Sequence, residues 1–179
     1  MTLGRSNILI SPFSITVPSF YQGYVDLVEE DNLIQALIVN GNESLERFRS
    51  IPEQSGNYAY ANGKWTIKEV LAHIIDAERV FAYRALRFAR NDKTELPGYE
   101  ENDYTPESNA GSRKLYKICE EFANLRASTI DLFGSFDEEM LSRSGIASGG
   151  EMSVAALGYV IVGHELHHNK ILLERYLSN

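Results

Sequence analysis

Two histidines stand where the packing of a helix asks for apolar side chains. From about Ser153 to Leu177, the residues Val154, Leu157, Ile161, His164, His168, Ile171, Leu172 and Arg175 recur at three- and four-residue spacing. That period is one face of a helix, and residues four apart on it lie one turn above each other. His164 and His168 therefore point the same way, into whatever this helix packs against. Burying imidazoles with unsatisfied nitrogens costs roughly a few kcal/mol. A metal ion shared between them removes that cost.

The chain has only four histidines, and the one outside this helix, His73, lies on a second strongly patterned segment. Thr66 followed by Glu69 is a capping box, with Trp65 and Val70 placed as a hydrophobic staple around it. Ile67, Val70, Leu71, Ile74, Ala77, Phe81 and Phe88 then trace an inward stripe to about Arg90. His73 lies beside that stripe, about two turns from its start. Alone it reads as a half-buried histidine with a hydrogen-bond partner. Beside a pair already in register on a facing helix, it reads as the third ligand of a metal. Three neutral imidazoles with an open fourth position describe a catalytic zinc-type centre rather than a structural one. His167 competes with His168 for the same role. It lies about 100° around the helix from His168, toward the flank, and ranks second.

The rest of the chain is read as helix and connection. Leu33, Ile34, Leu37, Ile38, Leu45 and Phe48 give a first helix from about Asp31, weakened at Gly41 and stopped by Pro52. Gln54 to Lys64 is a polar loop. Asn91 to Glu107 is too long for a hairpin and predicts a crossover along a bundle. Its acidic residues, Glu95, Glu100, Glu101 and Asp103, lack EF-hand spacing. They are expected in solvent, at the far end of the second helix from His73 and outside the site. A third helix is expected from about Ser108 to Phe133, with Leu115, Ile118, Phe122, Leu125, Leu132 and Phe133 inward. Cys119, at the edge of that stripe, reads as core rather than nucleophile. Ser142 to Gly150 is expected to be a Gly/Ser loop. The fold class is all-α: a bundle at residues 31–179, with residues 1–30 as an extended arm packed across the domain or a partner subunit. The apolar run from Asn7 to Val17 lacks a small-x-small cleavage site and has a central proline, which argues against a secretory signal.

Charge and cysteine content narrow the partners. The formal net charge is -8, with no run of Lys or Arg, so the surface repels phosphate backbones and nucleic acid is not expected as a partner. The single cysteine forms no intrachain disulfide and suits a reducing cytoplasm. No apolar run approaches the ~20 residues that span a bilayer, so no membrane partner is expected.

Four stretches carry a resemblance. The stretch from Gly63 through Trp65, Thr66, Glu69 and His73 to Arg79 resembles the second-helix signature of the DinB superfamily, also described as YfiT-like metal-dependent hydrolases. Phe81 to Arg90 and Leu96-Pro97-Gly98-Tyr99 resemble one branch of it. Gly163-His164-Glu165-Leu166-His167-His168 resembles its closing-helix motif. The likeness covers roughly Asp31 to Leu177. It implies a four-helix bundle in up-down-down-up order with a long crossover between its second and third helices, often a homodimer. It also implies a divalent metal, zinc or nickel, held by His73, His164 and His168. Some relatives transfer low-molecular-weight thiols or use them in isomerisation, which points to a small-molecule substrate. A metal serves a thiol transferase by holding the sulfur as thiolate. It serves a hydrolase by acidifying water.

Asp76, one turn beyond His73, and Glu165, beside His164, are the candidate catalytic carboxylates, placed to orient an imidazole or move a proton. Tyr83 and Arg84 are candidates to line the pocket and hold an anionic substrate, against a plainer surface or packing role. His164-Glu165-Leu166-His167-His168 also matches the zinc-protease pattern H-E-x-x-H. That pattern takes its third ligand from downstream, where only 11 residues follow His168, and needs a sheet beside the helix. The alternative from another class is a non-catalytic, metal-stabilised bundle acting as a binding or stress-response protein.

Overall fold

Four long helices pack in up-down-down-up order in the computed structural model, which describes residues 15–178. In chain order the helices are α1 (Ser19–Val25), α2 (Leu33–Ser50), α3 (Ile67–Ala89), α4 (Glu101–Glu107), α5 (Leu115–Gly134), α6 (Glu138–Ser142) and α7 (Val154–Ile171), the last continued by a π-helical turn at Leu172–Tyr176. The bundle is α2, α3, α5 and α7: α7 packs on α3 and α2, and α5 packs on the same two helices from the other side. The capping box at the start of α3 is present, with the Thr66 backbone N–H donating to Glu69 Oε2 at 2.7 Å. Cys119 is buried in the core beside Ile118 and Phe122.

Helix α7 is more deeply placed than a one-faced stripe implies. Every residue from Val154 to Glu165 is buried, so α7 is covered on all sides over that length. Its outer cover is α1. Residues 15–30, expected as an extended arm, contain this helix and lie across their own domain, where Ile15, Val17, Tyr21 and Tyr24 pack against the core. The Ser153 N–H donates to Thr16 O at 2.9 Å and ties the arm to the start of α7. The apolar run that begins at Asn7 lies outside the described residues up to position 14. The contact between α1 and α7 is backbone against backbone: a Cβ at Gly163 would sit 1.9 Å from Tyr24 O.

The segment before α7 differs from the expected loop. Ser144–Ala147 (β1) and Gly150–Ser153 (β2) pair antiparallel, with Gly145 opposite Met152 and Ile146 opposite Glu151. The turn between them has positive φ at both Ser148 (52°) and Gly149 (74°), the geometry of a tight hairpin that suits the twist of its strands. Strands of four residues carry too little alternation to be read from sequence. The hairpin docks on the crossover, where the Leu96 N–H donates to Ile146 O at 3.0 Å and the Ser148 N–H donates to Leu96 O at 3.1 Å. Helix α5 begins at Leu115 instead of Ser108, because Asn109 takes a left-handed φ of 53° that interrupts the helical path. Among the described residues no helix is long and apolar enough to cross a membrane.

Gly163→Ala tests the α1–α7 contact. Either the backbones must part or the helix must shift, and overpacking of this kind costs roughly 1–3 kcal/mol. Denaturant unfolding should show a loss of that size, while Gly111→Ala, with open space around its Cβ position, should leave stability nearly unchanged. Equal stability of the two variants would mean that α1 does not sit where described.

Candidate metal centre

His73 lies in the first third of α3, and His164 and His168 in the second half of α7. Antiparallel packing of the two helices brings these ends together. One ring nitrogen from each of His73, His164 and His168 lies within 4.8 Å of the other two. His73 Nε2 and His164 Nε2 are 3.0 Å apart. Ligands about 2.0–2.1 Å from a tetrahedral zinc lie about 3.3 Å from one another, so the histidines are near coordination distance. His167 is not in this group. It is half-exposed, and its ring packs on Tyr24 at 5.4 Å between centroids.

Burial sets the protonation of the cluster. Desolvation lowers His73 to about 4 and His168 to about 3. His164 is held well below the ordinary range by desolvation and then by its histidine neighbours. All three are neutral at pH 7, with a lone pair available on each ring. Neutral imidazoles converging at this spacing are the donor set that a divalent cation of the zinc or nickel type takes, so the residues present fit a metal.

The rings form one wall of a cavity of about 270 Å³. Tyr21, Tyr24, Trp65 and Phe81 supply aromatic walls, and Tyr99, Glu101 and Ser148 also line it. Tyr24 stacks edge-on against His164 at 5.4 Å, and Trp65 packs on His73 at 4.9 Å. The phenols of Tyr24 and Tyr99 are pushed upward, first by burial and then by the Glu101 carboxylate, and stay protonated at neutral pH.

Glu101 in the cavity overturns its expected place at the far end of α3. The reason is topological. Because α3 and α5 run in the same direction, the crossover must travel the length of the bundle, and it passes the histidines on the way. Tyr99, Ser148, Tyr21 and Tyr24 were also not singled out as site residues. The one signal for the tyrosines is Gly163, which admits the α1 backbone next to His164.

The two carboxylates expected to serve the histidines are placed apart from the cavity. Glu165 is fully buried on the other side of α7. It accepts from Ser44 Oγ and from Arg126 Nη2, and burial pushes its carboxyl upward. One residue further along a helix is about 100° of rotation, which carries Glu165 away from the face of His164. Asp76 lies at the edge of α3, paired with Arg79 at 3.3 Å, and burial raises its carboxyl as well. Of the two residues considered for an anionic substrate, Tyr83 is 51% exposed and accepts from Arg87 Nη1, outside the cavity. Arg84 is buried behind the cavity wall.

Comparison with known proteins identifies the family and the fold. The family profile described as the DinB superfamily matches residues 36–172, and the chain belongs to that superfamily. A "putative metal-dependent hydrolase" of Oceanobacillus iheyensis is 25% identical over 127 residues, which cover 69% of this chain and 71% of the relative. Among solved structures, YfiT from Bacillus subtilis, described as a probable metal-dependent hydrolase with an unusual four-helix bundle topology, superposes with a TM-score of 0.69. It is 16% identical, and the alignment covers 82% of this chain and 85% of YfiT. The mycothiol-dependent maleylpyruvate isomerase gives a TM-score of 0.66 at 11% identity, with 86% of this chain matched to 63% of that one.

The lowered histidines predict how the metal-free protein responds to acid. His73 is lowered in the folded state to about 4 from 6.5, so the unfolded chain binds the proton first. Its contribution is present above pH 6.5 and is lost as pH falls through about 4. At about 1.4 kcal/mol per pH unit, the loss is roughly 3 kcal/mol for His73. Urea unfolding of the metal-free protein between pH 7 and 4 should show a steeper fall than that of His73→Gln. Parallel curves for the two proteins would contradict the buried, neutral assignment.

Proposed function

We propose that the protein is a metal-dependent enzyme in which His73, His164 and His168 hold a divalent cation, zinc or nickel, against a small-molecule substrate. The reaction is hydrolysis or the transfer of a low-molecular-weight thiol. The observation that carries this reading is the convergence of three neutral imidazoles on the wall of a cavity, rather than in a sealed core. A structural site closes its coordination sphere with protein ligands; a catalytic one keeps a position for substrate. Bound there, a divalent cation supplies the Lewis acidity that brings a water or a thiol into its nucleophilic form near neutral pH.

The chain's own residues have distinct roles in this reading. Trp65 and Phe81 exclude bulk water from the histidines and strengthen electrostatic interactions inside the cavity. Tyr24 and Tyr99 remain hydrogen-bond donors for a substrate oxygen. Glu165 acts at one remove, holding the rotation of α7 that aims His164 and His168. Asp76, outside the cavity and paired with Arg79 one turn from His73, would in this reading help orient that stretch of α3 rather than touch the substrate. Thiol chemistry is supported by the mycothiol dependence of the isomerase that shares the fold. The reading includes a homodimeric, cytoplasmic protein, as the superfamily resemblance implies.

Metal analysis of the purified protein should give about one equivalent of zinc or nickel per chain. His164→Ala should lose it while keeping a helical circular-dichroism spectrum. Assays with a panel of thiols and ester or amide substrates should show turnover that a chelator abolishes and the added metal restores. Stoichiometric metal in His164→Ala, or turnover indifferent to chelation, would refute the proposal.

A further inference from the structure

Arg84 is a charged side chain that α3 buries without a counter-ion. It is 2% exposed, yet among the described residues no carboxylate pairs with it. Its Nη2 donates to Pro97 O at 3.0 Å and to Ser148 Oγ at 2.9 Å, and its Nη1 is buried with no hydrogen-bond partner. The guanidinium lies 5.7 Å from the centroid of Phe81. Ser148 and Phe81 both line the cavity that holds the histidines. A buried cation with a free N–H is costly unless an anion offsets it. This is a chain with a formal charge of -8, in which the other fully buried arginine, Arg126, meets two carboxylates.

The hairpin turn shows what the arrangement presents to the cavity. Ser148 holds a left-handed φ of 52°, and its N–H is fixed by Leu96 O. The Arg84 N–H occupies a lone pair of the Ser148 hydroxyl, which leaves the hydroxyl proton free to be donated. A hydroxyl that accepts from a guanidinium is polarised into a stronger donor. Tyr99, next to Gly98 on the same rim, adds a protonated phenol. Glu101, which also lines the cavity, carries the opposing charge; its exposure to solvent weakens that field, whereas the guanidinium of Arg84 is buried.

We infer that Ser148, backed by the buried Arg84 guanidinium, forms a carboxylate-binding subsite, so that the substrate or thiol taken by this cavity is an acid. The subsite rests on the metal reading only for what happens at the histidines; the recognition of the anion does not need the cation.

Two ligands and two variants test this. With zinc-loaded protein, calorimetry should give 3-mercaptopropionate an affinity roughly tenfold or more above that of its neutral amide, as expected of a charge-assisted hydrogen bond. Ser148→Gly, which suits the positive φ and removes the hydroxyl with its one carbon, should bring the two affinities to within about twofold, as should Arg84→Gln if it folds. With metal-free protein, butyrate should shift the amide resonances of Ser148, Gly98 and Tyr99, and these shifts should vanish in Ser148→Gly. Butyrate shifts in a protein that takes up no metal would sink the metal reading and leave the subsite standing. Zinc uptake without any preference for the acid would overturn the subsite alone, as would a preference undiminished in Ser148→Gly.

Discussion

One guanidinium touches all four helices of the bundle. Arg126 on α5 donates through Nε and Nη2 to Glu78 on α3 at 3.1 and 2.9 Å, through Nη1 to Leu37 O on α2 at 3.1 Å, and through Nη2 to Glu165 on α7. A buried ion cluster of this kind adds little net stability over an apolar core, because desolvating the charges offsets their attraction. Its effect is on geometry. Removing one partner would strand buried charge, so the rotation and register of each helix are held to the arrangement that satisfies the others. On α7, fixing Glu165 toward Arg126 fixes His164 and His168 toward α3. The histidine cluster and the ion cluster lie on two faces of the same helix.

Room for that cluster comes from a residue with no side chain. A Cβ at Gly41 would lie 2.5 Å from Arg126 Nη1, so the glycine that weakens α2 as a helix is the one that lets Arg126 cross to it. Ser44, one turn further on α2, accepts from Asn169 Nδ2 at 2.5 Å and donates to Glu165. On the opposite side of α7, Gly163 allows α1 to close down over His164. The two glycines thus serve the two surfaces of α7: one admits the group that orients it, the other the helix that covers the site.

The four long helices could be read from periodicity, and the start of α3 from its cap, since α3 begins where Thr66 caps it. The histidine cluster was legible because His164 and His168 break an apolar stripe in register, and few other arrangements satisfy them. What could not be read depends on topology and backbone conformation. The path of the crossover, which brings Tyr99 and Glu101 to the histidines, follows from α3 and α5 running parallel, and no local pattern encodes that. The hairpin that presents Ser148 rests on four-residue strands and a left-handed serine. Glu165 was judged from its neighbour in sequence, whereas on a helix the neighbour in sequence faces elsewhere.

X-ray absorption spectroscopy of the zinc-loaded protein reads the ligand set itself. Three imidazole nitrogens at about 2.0–2.1 Å with one further light scatterer are the result this account predicts. A shell with fewer than three imidazoles, or one completed by protein sulfur, would contradict it.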